Sequence, residues 1–288
     1  MKMSESPVVL ISGCSTGIGR ALAEGFASRG ATVVAGARDP GTLADLVARH
    51  GDRLIPFAWD VADAEATRRA VAGVIAKHGR IDILVNNAGF GQMGPVVELS
   101  RDQWRRQLET NVVGLADATA LAARLPGGMI DRRSGRIVNI GSILGRFSIP
   151  FSGAYSATKH AVEAISDTLR MELAPFGIDV ILVEPGPIET AFTGTATRSL
   201  EPLLARGGSP YTYLRAQLEA RANAPRSMSM TAEACAAIIV RAVTRRRPPT
   251  RLRITGVARM MFWLRRILSD RLIDAILKPR YGLNRPAP

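Results

Sequence analysis

Residues 8–21 read VVLISGCSTGIGRA, and how this stretch is parsed decides the fold. Its first five residues form an apolar, β-branched run of the length expected for a buried strand. Gly13, Gly17 and Gly19 follow in quick succession, and the chain then turns rich in Ala, Leu and Arg at helical spacing. Glycine lets a backbone turn sharply and approach a ligand closely, while a helix N-terminus presents unbonded N–H groups and the positive end of its dipole. Such a turn suits a pyrophosphate, with Gly13, Ser15, Thr16, Gly17, Ile18 and Gly19 as the candidate cradle. The spacing is G-x-x-x-G-x-G rather than G-x-G-x-x-G, so an ordinary tight turn is the competing reading. The position after the first strand of a strand–helix–strand unit favours the cradle.

Working outward, five more β-rich runs appear: TVVAGA at 32–37, LIPFAW at 54–59, ILVNN at 83–87, IVNIGS at 137–142 and VILVEP at 180–185. Helical segments at 17–29, 63–78 and 100–124 separate them, and RLRIT at 251–255 reads as a seventh strand at the edge. Alternating strands and helices predict a mainly parallel sheet with helices on both faces and right-handed crossovers. Near-continuous apolar strands fit burial on both sides. The expectation is one α/β domain over 1–255, a Rossmann-type doubly wound fold with a seven-stranded sheet, followed by a basic helical extension over 256–288. Residues 191–225 read as a long insertion, expected to be a mobile lid. Ligands of such sheets bind beyond the carboxyl ends of the strands.

Composition bounds the function. The 288-residue chain is 47% hydrophobic, enough for a sizeable core. Cys14 and Cys235 are its only cysteines, and MKMSESPVVL enters a strand without a signal peptide. No disulfide framework is therefore expected, and a reducing, cytoplasmic setting is. No run approaches the roughly 18 apolar residues that would span a bilayer. The net charge is +13, of which +10 falls within 245–288. No nucleic-acid recognition motif accompanies that charge, and no metal-ligand spacing occurs.

The second strand ends in AGARDP. Where a carboxylate would hold the ribose 2′-hydroxyl of NAD stands Ala37, followed by Arg38, whose fork suits a 2′-phosphate. A solvated arginine is the alternative, and Asp39 before Pro40 is expected to start a helix. NADP(H) is thus the preferred cofactor, NAD(H) the second choice. Asp60 and Val61 follow the third strand, where Asp60 either accepts from an adenine amino group or caps the next helix. NNAGFG ends the fourth strand, with Asn87, Ala88 and Gly89 leaving room for a cofactor.

AYSATKHAV at 154–162 sets Tyr155 one helical turn before Lys159. With four tyrosines and four lysines in the chain, about 0.06 such pairs would arise by chance. A neighbouring ammonium favours the phenolate and is expected to lower the phenol pKa by roughly 1–3 units, towards the range useful for proton transfer. A tyrosine and a lysine that merely snorkel from a helix are the alternative. Ser142 ends the fifth strand, where its hydroxyl could polarise a carbonyl oxygen, and Asn111 could hold a water that feeds protons to the lysine. His160 is expected on the helix surface and Cys14 as a small packing residue.

Taken in order, SGCSTGIG at 12–19, NNAG at 86–89, Asn111, Ser142, YSATK at 155–159 and PGPIET at 185–190 resemble the short-chain dehydrogenase/reductase family. The resemblance runs from about residue 7 to 255, with Ser12 where threonine is commoner. It implies a catalytic tetrad of Asn111, Ser142, Tyr155 and Lys159 and hydride exchange between NADP(H) and an alcohol/carbonyl pair. Lys159 would also bind the nicotinamide ribose, and Pro185 and Gly186 would turn the chain so that Ile188 and Thr190 meet the carboxamide. Around the site lie Phe90, Met93, Leu144, Phe147, Phe192, Tyr211 and Tyr213, few of them near charges, so a lipophilic substrate is expected, with Ser142, Leu144, Phe147 and Phe192 against it. The tail is similar to those of hydroxysteroid and retinol dehydrogenases, and a homo-oligomer, dimer or tetramer, is expected. Two other readings stay open: a 3-oxoacyl-thioester reductase, and a catalytically inert cofactor-binding or membrane-associated protein. Within 256–277, Val257, Met261, Leu264, Leu268, Leu272 and Ile276 fall on one helical stripe. That stripe either docks on the domain or a partner subunit, or makes a peripheral contact with the inner membrane face.

Overall fold

Apolar runs between polar turns become seven strands: Val8–Ile11 (β1), Thr32–Ala37 (β2), Leu54–Ala58 (β3), Ile83–Asn86 (β4), Gly135–Ile140 (β5), Ile178–Pro185 (β6) and Arg251–Ile254 (β7). The computed structural model describes residues 6–192, 199, 209–223 and 229–284. The strands form one sheet in the order β3-β2-β1-β4-β5-β6-β7. Every pairing in it is parallel. The order reverses about β1, which has β2 on one side and β4 on the other, and this opens the crevice where ligands of doubly wound sheets bind.

Helices cover both faces: Gly17–Ala27 (α1), Ala44–His50 (α2), Ala64–His78 (α3), Arg101–Leu108 (α4), Gly114–Arg124 (α5), Gly153–Leu173 (α6), Arg215–Asn223 (α7), Ala232–Val243 (α8), Gly256–Ile267 (α9) and Asp270–Arg280 (α10). Side chains alternate along a strand, so β1 feeds two cores. Val9 and Ile11 pack with Leu22 and Phe26 of α1 and Ile239 and Val240 of α8. Val8 and Leu10 pack with Val71 and Val74 of α3 and Ala118 and Ala122 of α5. A buried polar line crosses the carboxyl half of the sheet: Asn86 donates to Asn139 Oδ1 at 2.8 Å, and Asn139 donates to Ser166 at 2.9 Å.

The segment expected as one helix over 100–124 is interrupted. A π-helical turn, Glu109–Val113, joins α4 to α5 and carries Asn111. The extra residue swings Asn111 inward, where its Oδ1 accepts from Phe90 N at 3.1 Å and its Nδ2 donates to Phe90 O at 3.0 Å. Such turns recur at functional sites.

The tail also departs from the expected stripe. Leu268 leaves helical geometry (ψ 139), and Ser269 caps a second helix by accepting from Leu272 N. The break changes which residues face inward. Met261, Leu268, Ile273 and Leu277 join a third cluster with Phe147, Phe151, Leu214, Leu218 and Tyr281, whereas Leu272 and Ile276 lie exposed. The tail therefore docks on its own domain along a bent, not a continuous, face.

Candidate active site

Each glycine of the first loop has its own reason to lack a side chain. Gly13 and Gly17 adopt left-handed backbone (φ +72 and +61), which favours glycine. A Cβ on Gly13 would sit 2.7 Å from Ala88 Cα, and one on Gly19 would sit 2.2 Å from Gly13 O. Opposite Gly17 lies Thr190, 3.1 Å from where a Cβ would be. Two loops are laced together here. Asn87 Nδ2 donates to Ser12 O and Gly13 O at 3.0 and 2.8 Å, while Ser12 Oγ accepts from Asn87 N and Ala88 N, both at 3.1 Å. Thr16 precedes α1 without a side-chain cap, and the first turn holds no acidic residue. The leading N–H groups of α1 are thus left for an anion. Cys14 is fully buried on Ile11 O, and burial pushes its thiol well above the usual range, as expected of a packing residue.

At the end of β2, Ala37 is buried and Arg38 is exposed, with no hydrogen bond or ion pair among the described residues. The carboxylate of Asp39 is turned away, accepting from Gly41 N at 2.9 Å in the turn Pro40–Leu43. Nothing competes with Arg38 for an anion. After β3, Asp60 accepts from Ala62 N at 3.0 Å. The helix cap is Asp63, which accepts from Glu65 N and Ala66 N, so the capping role considered for Asp60 falls to its neighbour. The cradle that a Cβ would fill, the uncapped N–H groups and the free guanidinium together fit a phosphorylated dinucleotide.

Across the crevice, α6 carries Tyr155 and Lys159, 8% and 6% exposed. The Ser142 hydroxyl lies near enough to the Tyr155 phenol to favour its ionised form, and its Oγ accepts from Leu144 N at 3.1 Å. Lys159 Nζ donates to Ile140 O at 2.7 Å and lies 5.7 Å from the centre of the Tyr155 ring. The expected acidification of the phenol is not found. Burial pushes Tyr155 up to about 12, against the nearby Ser142 hydroxyl, and pulls Lys159 down to about 8. Desolvation dominates, and the amine is spent on the Ile140 carbonyl rather than on the phenol oxygen.

Asn111 reaches this helix through Thr158. Its Nδ2 donates to Thr158 Oγ1 at 3.1 Å, and Thr158 Oγ1 donates to Tyr155 O at 2.7 Å. Both amide protons are taken by Phe90 and Thr158, so the side chain ties the loop after β4 to α6. Gln107 adds a second tie, accepting from Gln92 N and donating to Phe90 O. Sequence reasoning passed over Gln107 and Thr158. The four-residue spacing from Gln107 to Asn111, one face of a helix, was the available signal for the first.

The remaining positions divide. Phe192 stacks obliquely on Tyr155, with ring centres 5.2 Å apart, and Leu144 is half-buried beside Ser142. Phe147 is buried against α7 and α10 with Phe151, itself held at φ +63, and it borders a small cleft with Ile143, Met261 and Phe262. Ile188 is buried, and Ile188–Glu189 pairs with Met230–Thr231 in a separate two-residue ladder. Gly186 N donates to Ile254 O, which anchors the turn begun at Pro185. His160 lies on the exposed side of α6. Of the lid expected over 191–225, residues 193–198, 200–208 and 224–225 lie outside the described residues.

Comparison with known proteins places this geometry. The family profile described as short chain dehydrogenase matches residues 7–201. Dehydrogenase/reductase SDR family member 7B of Xenopus laevis is 37% identical over 197 residues, 65% of this chain and 59% of its own length. The NADPH-dependent 3-dehydrocapnine reductase of Ornithobacterium rhinotracheale is 30% identical over 276 residues, 93% of this chain and 94% of that protein. The crystal structure of a short-chain dehydrogenase from Streptomyces avermitilis superposes with a TM-score of 0.76 at 34% identity, covering 98% of this chain and 99% of that one.

Proposed function

The chain belongs to the short-chain dehydrogenase family, and on that premise we propose that it is an NADP(H)-dependent oxidoreductase that interconverts an alcohol and a carbonyl on a lipophilic small molecule. The reading is carried by the buried Tyr155 phenol of α6, with Lys159 Nζ 5.7 Å from its ring centre and Phe192 stacked against it. In this assignment the cradle from Gly13 to Gly19 and the N-terminus of α1 hold the pyrophosphate, Arg38 takes the 2′-phosphate, and Asp60 and Val61 flank the adenine. Asn87, Ala88 and Gly89 shape the nearer wall. Pro185, Gly186, Ile188 and Thr190 shape the farther one. Preference for the phosphorylated cofactor rests on Arg38 and on the NADPH dependence named for the Ornithobacterium relative. When bound, the nicotinamide supplies or accepts the hydride.

Tyr155 Oη then gives its proton to the carbonyl oxygen, which Ser142 holds. A phenol at about 12 remains a stronger acid than an alcohol, whose proton is bound about as tightly as that of water, near 15.7. It is protonated at neutral pH and ready to donate, which suits the reductive direction. Lys159, braced on Ile140 O, would place positive charge near the phenolate that forms and would hold the nicotinamide ribose. Asn111 positions α6 through Thr158. Phe192 above Tyr155, with half-buried Leu144, Phe90 and Met93, gives the reacting end apolar walls.

NADPH oxidation measured across aliphatic and steroidal ketones, retinals and 3-oxoacyl thioesters tests the proposal. Turnover confined to thioesters would replace a lipophilic ketone with an acyl-carrier substrate. Tight NADPH binding without turnover of any of them would leave an inert cofactor-binding protein.

A further inference from the structure

Helix α9 has two apolar faces, and only one is used. Ala258 and Met261 turn inward. On the outside, Met260, Trp263 and Ile267 recur at i, i+3 and i+7 and are 49%, 59% and 75% exposed. Exposed apolar bulk is concentrated here: of the eleven large hydrophobic residues exposed among the described residues, five lie between 260 and 276. Scattered singly, such residues need no explanation; gathered on a rim of the molecule, they mark a contact.

The charge around the strip indicates with what. At 100° per residue, Arg259 and Arg266 border it, and neither has an ion pair among the described residues, whereas Arg265 is held 2.8 Å from Asp270. Trp263 also lines an open groove of about 320 Å³ together with Arg251, Leu252, Arg253, Arg259 and Phe262. The segment 245–288 carries +10 of the net +13. A second copy packed antiparallel on this strip would bring the Arg259 and Arg266 rows against themselves, because both flank it on the same side. An anionic bilayer instead neutralises them, takes the indole at headgroup depth and buries Met260 and Ile267 just beneath. No described helix is long and apolar enough to cross a membrane; α9, of 12 residues, lies along a surface.

We propose that the outer face of α9 is a seat for an anionic phospholipid surface, with Trp263 among the headgroups, Met260 and Ile267 just beneath them, and Arg259 and Arg266 on the phosphates. The test is co-sedimentation of the full chain with vesicles of phosphatidylcholine alone or mixed with phosphatidylglycerol. The parent should pellet with the mixed vesicles and not with the neutral ones, and added salt should release it. The double variant Trp263→Glu, Ile267→Glu should lower vesicle binding about tenfold or more while keeping its melting temperature and its NADPH oxidation on a soluble ketone. The pair Arg259→Gln, Arg266→Gln should weaken binding to the mixed vesicles and make the residual binding less sensitive to salt than the parent's. Failure of the parent to bind anionic vesicles, or equal binding by parent and double variant, would overturn the proposal. So would a double variant that merely shrinks the assembly in sedimentation velocity while the parent ignores vesicles, which would make the strip an interface between copies.

Discussion

Lys159 holds its ammonium 2.7 Å from the carbonyl oxygen of Ile140, so the amine that follows the Tyr155 phenol by one helical turn is braced on the end of β5. Burial without an anionic partner lowers its pKa from 10.5 to about 8. Between those values the unfolded chain keeps a proton that the folded chain has released, so the folded state gains stability as pH rises through that window. Below pH 8 both states are protonated, and the folded protein bears the full cost of the buried charge, about 3 kcal/mol by the size of the shift. Urea unfolding of the parent against Lys159→Met should show their stability difference moving in favour of the parent from pH 8 to pH 10. A difference that stays flat would mean the lysine is not desolvated.

Tyr155→Phe removes only the transferable proton and keeps the ring beside Phe192. Turnover should fall roughly 10²–10⁴-fold, and the NADPH dissociation constant measured by fluorescence titration should be almost unchanged. Undiminished turnover would exclude this phenol as the donor.

Arg38→Ala should weaken NADPH about 10–100-fold, the loss expected for a hydrogen-bonded charge pair, and leave NADH nearly untouched. Titrating both cofactors against parent and variant gives the ratio. Equal losses for the two would move the 2′-phosphate elsewhere.

Leu277 of α10 is 9% exposed and packs in the cluster that buries Phe147 and Phe151. Leu277→Ala should cost about 2–4 kcal/mol, visible as a lowered melting temperature. Because the cluster lies under the loop after β5, kcat/KM should fall more than NADPH affinity. A variant that melts and turns over like the parent would mean the tail is not part of the domain's core.

Much of the architecture was written in local pattern. A central parallel strand is buried on both faces, so VVLIS and VILVEP announce themselves as unbroken apolar runs, and glycines after the first of them mark the crevice. Tyr155 and Lys159 were readable for a similar reason, since their spacing is fixed by one helix. What escaped depends on partners distant in sequence. The π-helical turn at Asn111 exists because Phe90, 21 residues earlier, offers both a donor and an acceptor. Asp60 and Asp63 are equally good caps on paper, and only the chain's path selects the second. The phenol pKa was misjudged because spacing reveals a neighbouring charge but not the water excluded around it. Phe147 faces a helix more than a hundred residues later, and the bend at Leu268 sets which face of that helix it meets.

That bend has a mechanical consequence. Met261 and Leu268 share their cluster with Phe147, while Trp263 and Ile267 point the other way from the same helix. The residues that would grip an outside surface and those that floor the loop after β5 are thus yoked, back to back, across one helical diameter. Anchoring the outer side would fix the tilt of the cleft's mouth relative to whatever it rests on, so that orientation, and not only proximity, becomes a property of the protein.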